Sequence, residues 1–137
     1  GTSRAHLARA ALEAMAYQTL DVLEAMEADS GLELTELRVD GGATGNDWLM
    51  AFQAGLLGVP VRRTRQVETT ALGAAGLAGI HAGVWPSAHA FLEAQGEPTT
   101  FQPDLDAGAR AELRRGWERA VSSSLHWTRW GSGAGPE

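Results

Sequence analysis

The residues whose types and spacing bear most directly on chemistry lie in one run, Leu37 to Asp47, written LRVDGGATGND. A short strand, Glu36-Leu37-Arg38-Val39-Asp40, runs into Gly41-Gly42, and a helix-capping residue, Asn46, follows shortly after. A glycine pair lets a ligand approach the backbone, and the free amides of a helix start attract an anion. A strand–glycine turn–helix junction is therefore a natural ligand-binding place in an α/β fold. The plainer alternative is a tight turn capped by Asn46 or Asp47, and local features leave both open. GGATGN lacks the third glycine of a dinucleotide fingerprint, and no acidic residue ends a following strand at the right place. Asn46 is the only asparagine in the chain. Its amide offers a donor and an acceptor, the pattern that reads an adenine edge, whereas a cap needs only the oxygen. Asp40, beside the glycines, either faces a metal or a phosphate-linked water or caps the turn.

Other candidates read as structure. Glu68-Thr69-Thr70 opens a helix: a Glu there suits the macrodipole, and either threonine can cap. Gly73, Gly76 and Gly79 recur at every third position of that helix and leave a side without bulk, so something is expected to pack close there. Trp85, Trp117, Trp127 and Trp130 read as core or interface residues. His6 has no nucleophile nearby and receives no catalytic role.

Absences exclude whole classes of mechanism. All 11 basic residues are Arg, which removes the Walker-type phosphate lysine, the Schiff base and the lysine general base, and with them a P-loop NTPase. No cysteine is present, so there is no disulfide framework, thiol nucleophile or thiolate zinc site. His6, His81, His89 and His126 are scattered, and no metal site built by this chain alone is expected. No paired carboxylates or Ser/His/Asp set can be assembled, so no catalytic residue is assigned. A net charge of −6 argues against a nucleic-acid partner. No apolar run reaches about 18 residues and no signal-peptide core opens the chain, so the expectation is a soluble, cytoplasmic protein with no membrane partner.

At 137 residues and 44% hydrophobic content, the chain fits one domain able to bury roughly two-thirds of its unfolded surface. Ala8, Ala11, Leu12, Met15, Thr19, Val22 and Met26 recur at helical steps and predict a long helix over Ser3 to Asp29, capped by Thr2 or Ser3 and ended by Gly31. A strand over Glu36 to Asp40, a helix over Asn46 to Leu57 stopped by Gly58, and a strand over Val59 to Arg62 follow. Pro60 marks that second strand as an edge or marks its start. A helix over Thr69 to Ala82, a short one over Ser87 to Ala94, a Pro-flanked loop over Gly96 to Pro103 and a helix over Leu105 to Ser123 complete the pattern. The fold class is α/β with a parallel or mixed sheet. Two strands are few for such a sheet, so part of it is expected from sequence outside the chain.

The order of these segments resembles the FGGY family of sugar and polyol kinases. GTSRAH leads into the first helix, and DGGATGNDWLMAFQA, GVPV, ETTALGAAGLAG and WERAVSSSLHW follow as they do in that family, over residues 2–127. The glycerol-phosphorylating branch is the most similar. Trp48, Gly45, Gly55 and Gly76 depart from its common choices, and another carbohydrate kinase of the family, xylulokinase-like, or a noncatalytic interaction module is the alternative. The resemblance implies a ribonuclease H-like fold of the actin and sugar-kinase type. Residues 1–128 would be an incomplete C-terminal nucleotide-binding domain with flanking helices, and 129–137 a disordered tail. It implies that Gly42, supported by Gly41, lies against ATP or ADP and that Asn46 contacts the adenine. It implies Mg²⁺ held through the nucleotide and the other domain, glycerol held by that N-terminal domain, a catalytic Asp upstream, and a homo-oligomer. The chain by itself is then expected to be inactive.

Overall fold

The computed structural model describes residues 1–66 and 68–131, with side chains through Trp127. Helix α1 (Arg4–Ser30) starts where the Ser3 hydroxyl accepts the His6 N–H at 3.4 Å and His6 Nδ1 accepts the Ser3 N–H at 3.0 Å. This is a reciprocal capping box in which an imidazole stands where Glu or Gln is usual, so His6 has a structural task. Gly31, left-handed at φ 69°, ends the helix as expected.

The face that α1 packs differs from the expected stripe. Ala16 and Tyr17 are buried, with Leu12 and Leu20 against them, while Met15, Val22 and Met26 are 43%, 59% and 58% exposed. The helix is apolar on two sides, and periodicity alone does not choose between them.

The sheet has the order β1-β2-β3. Strand β1 (Leu37–Val39) runs parallel to β2 (Val61–Arg63), with Leu37 opposite Val61 and Val39 opposite Arg63. Strand β3 (Thr99–Phe101) is antiparallel to β2, with Phe101 opposite Val61. β3 lies inside the segment read as a loop, because three residues are too short to display alternation. It also makes β2 central. Pro60 therefore marks a strand start and not an edge; it precedes β2, and its carbonyl accepts the Leu37 N–H at 2.9 Å.

Helix α2 (Asp47–Leu57) buries Leu49, Met50, Ala54 and Leu56 with Val61 of β2, and these join Ala16 and Tyr17 in the core. Gly55 has a packing reason: a Cβ there would stand 2.7 Å from the Asp104 carboxylate and 3.0 Å from Leu105. Helix α3 (Thr69–His81) carries the glycine stripe, against which Phe91 of α4 (Ala88–Glu93) and Trp85 pack at Gly76 and Gly79. Helix α5 (Ala107–Gly131) continues beyond the expected end at Ser123. Its Trp117 stacks on Tyr17 at 5.2 Å and donates its indole N–H to Asp21 at 2.8 Å, and Arg114 pairs with Glu24 at 2.6 Å. Of the tail expected over 129–137, the first residues continue α5, and 132–137 lie outside the described residues.

Candidate functional site

The junction after β1 is a 3₁₀ turn, Gly42–Gly45, that feeds α2. Gly41 takes φ 87°, a region that residues with a Cβ avoid, so the turn itself requires glycine there. Gly42 has an ordinary φ, and a Cβ built on it meets nothing within 4 Å. The space above Gly42 is open. Thr44, 5% exposed, anchors the turn from below: its hydroxyl donates to the Gly41 carbonyl at 2.7 Å, and its N–H does the same at 3.1 Å. No protein acceptor among the described residues takes the amides of Gly42, Ala43, Asp47 and Trp48. These are the free donors of a helix start and the turn before it.

Asn46 caps α2. Its Oδ1 accepts the Leu49 N–H at 3.0 Å, and its backbone carbonyl accepts the Met50 N–H at 3.1 Å. The residue is exposed, and among the described residues its Nδ2 donor has no partner. Gly41, Gly42 and Asn46 thus come together on one exposed shelf. Glu68, Thr69 and Thr70 do not join it as ligands. Glu68 occupies the N-cap position of α3 without a side-chain cap bond, so neither threonine caps; Thr69 instead donates its hydroxyl to Asp40. Asp40 therefore ties the end of β1 to the start of α3 and does not cap the glycine turn.

Arg63 was not legible as a site residue. From the end of β2 its Nη1 donates to the Thr44 carbonyl at 2.6 Å and to Asp47 Oδ1 at 2.7 Å, while its guanidinium lies 5.1 Å from the Phe101 ring centroid. The only signal was an Arg two residues after Val61, hence on the inward face of the same strand, and that reading needs the register. Near the start of β1, hydrogen bonds from Arg38 and Arg62 hold the Glu36 carboxyl below the usual range.

A cleft of about 690 Å³ opens between α1, α2 and α5, with Arg9, Tyr17, Trp48 and Trp117 on its walls, but none of Gly41, Gly42 and Asn46 lines it. Among the described residues no three His, Asp or Glu side chains are grouped to hold a metal ion. Trp127 is 80% exposed, and the side chain of Trp130 lies outside the described residues. Two carboxylates flank the shelf, Asp40, which accepts the Thr69 hydroxyl, and Asp47, which pairs with Arg63.

The model of the FGGY family of carbohydrate kinases, C-terminal domain, matches residues 1–82. The chain belongs to the FGGY family of carbohydrate kinases. This FGGY C-terminal domain is 54% identical over 125 residues to the glycerol kinase of Stenotrophomonas maltophilia (strain K279a), covering 91% of the chain and 25% of the relative. It is 53% identical over 127 residues to the glycerol kinase of Deinococcus radiodurans, covering 93% of the chain and 25% of that protein. The chain therefore spans about a quarter of the length of the curated relatives it matches. Among solved structures it superposes on Plasmodium falciparum glycerol kinase with ADP at a TM-score of 0.78 and 31% identity, over 91% of this chain and 25% of that one. Xylulose kinase from Lactobacillus acidophilus gives a TM-score of 0.64 at 19% identity, over 90% of this chain and 27% of the other, a likeness of fold. The FGGY chain has the sugar-kinase, actin-like fold. No helix among the described residues is long and apolar enough to cross a membrane.

Proposed function

We propose that residues 1–128 are the adenine-nucleotide-binding part of a glycerol kinase, which transfers the γ-phosphoryl group of ATP to glycerol to give ADP and glycerol 3-phosphate. The observation that carries this reading is the shelf: open space over Gly42, free amides from Gly42 into α2, and the unpartnered Nδ2 of Asn46 beside them. The amides suit phosphate oxygens and the Asn46 donor suits an adenine ring nitrogen, with Gly41 supplying the turn. The likeness to a glycerol kinase with ADP supports the same ligand. In this reading Mg²⁺ is carried by the nucleotide phosphates and by the rest of the protein. Glycerol and the catalytic base likewise belong to the other domain, and catalysis rests on positioning both substrates between the two. Cytoplasmic location and homo-oligomeric assembly are part of the proposal on family likeness alone.

The relatives from Stenotrophomonas maltophilia and Deinococcus radiodurans, 54% and 53% identical, are glycerol kinases, which favours glycerol as acceptor. The test uses the full-length protein that carries this chain, with ATP and either glycerol or xylulose, beside the 137-residue chain alone. Glycerol 3-phosphate formation by the full-length protein and none above blank by the chain alone is expected. Turnover of xylulose in preference to glycerol would move the reading to the sister branch. Failure of the full-length protein to bind adenine nucleotide would leave the chain an interaction module.

A further inference from the structure

We propose that Arg63 is the positioning residue of the nucleotide shelf, bolting the segment that carries Asn46 to the central strand of the sheet; the inference rests on the nucleotide reading above. The two acceptors of Arg63 Nη1, the Thr44 carbonyl at 2.6 Å and the Asp47 carboxylate at 2.7 Å, stand on either side of Asn46 in the chain. Both ends of the short segment are held by one atom. The Arg63 side chain is only 17% exposed, while that of Asp47 is 75% exposed, so the guanidinium is the fixed member and the turn is the part held. Phe101 fixes the guanidinium in turn, its ring centroid 5.1 Å away on β3.

The consequence for the shelf follows from the planar trans peptide unit. With the Thr44 carbonyl directed at Arg63, the N–H of Gly45 in the same unit points the opposite way, back along the 3₁₀ turn toward Gly42. Arg63 therefore sets the tilt of the turn and with it the offset between the Gly42 amide and Asn46 Nδ2. A cation beside a helix N-terminus opposes the macrodipole, and Asp47 offsets it there. The position is unfavourable for a charge alone, so what Arg63 contributes is geometry.

The test is ADP affinity by calorimetry, with thermal unfolding of the ligand-free protein, for the full-length protein and three variants. Arg63→Met removes both bonds and is expected to weaken ADP binding roughly tenfold. Arg63→Lys keeps the charge, but its ammonium ends a bond short of both acceptors, and it is expected to bind about as weakly as the Met variant. Asp47→Ala gives the sharpest sign. Removing a carboxylate beside an anionic ligand strengthens binding on electrostatic grounds, whereas loosening the turn weakens it, and about threefold weaker binding is expected. Wild-type affinity in Arg63→Lys, or unchanged or tighter binding in Asp47→Ala, overturns the positioning role while the nucleotide reading stands. Should Arg63→Met fail to fold, the other two variants decide. A wild-type protein that binds no ADP overturns the nucleotide reading, and the role of Arg63 with it.

Discussion

Asn46 commits one half of its amide: Oδ1 accepts the Leu49 N–H at 3.0 Å, and Nδ2 has no partner among the described residues. Replacing Asn46 by Asp keeps the oxygen that caps α2 and removes the donor, so helix stability and ligand recognition separate in one substitution. Both residues are good caps, and unfolding temperatures within a degree or two of each other are expected. Under the proposed function, ATP affinity in the full-length protein falls by about 1–3 kcal/mol, roughly 5- to 150-fold, because an adenine acceptor faces a carboxylate. Calorimetric titration of both forms measures this, and unaltered affinity would return Asn46 to an ordinary cap. The unique Asn after a glycine pair marked a cap through its oxygen beforehand, and the structure shows that bond, to the Leu49 N–H.

The α3–α4 pair shows why equal spacing does not mean equal roles. Gly76 and Gly73 belong to the same stripe, yet a Cβ at Gly76 would stand 2.5 Å from the Phe91 ring, and one at Gly73 would meet nothing within 4 Å. Alanine at either site gains about 1 kcal/mol of helix propensity. At Gly73 that gain is expected to survive, raising stability by about 0.5–1 kcal/mol. At Gly76 the ring must move, and the net effect is expected to be a loss of about 1–2 kcal/mol. Denaturant unfolding of the two variants compares them, and equal signs would show that the α3–α4 contact is not close-packed. The stripe predicted that something packs there. That Phe91 does so was not legible, because α4 and its angle to α3 depend on the turn between them.

At the scale of the whole molecule, α1 joins the core on one side and exposes large apolar side chains on another. Its inner face meets α2 and α5 through Tyr17, while Val22 and Met26 on another face are 59% and 58% exposed. A helix apolar on two sides belongs between two layers. The chain spans 25% of the Stenotrophomonas maltophilia relative, and in the proposed kinase the second layer comes from the rest of the protein. Val22→Asp is then expected to change the stability of the isolated chain by no more than about 1 kcal/mol. In the full-length protein it buries an unpaired carboxylate and should cost several kcal/mol, read as a marked drop in unfolding temperature or soluble yield. Equal small effects in both would show that this face meets solvent in the intact protein.

Sequence alone determined the helices, their stops at Gly31 and Gly58, the glycine turn and the family, and it narrowed the two N-caps to Thr2 or Ser3 and to Asn46 or Asp47. These depend on neighbours a few residues apart, where capping and backbone conformation act. Tertiary structure alone decided that β3 exists and makes β2 central, that α1 packs through Ala16 and Tyr17, and that Asp40 bonds Thr69 instead of its own turn. It alone brought Arg63 to Thr44 and Asp47. Each of these depends on strand register or helix rotation, set by the burial of Leu49 and Val61 across distant segments, and a three-residue strand or a helix apolar on two faces carries no local mark of either choice.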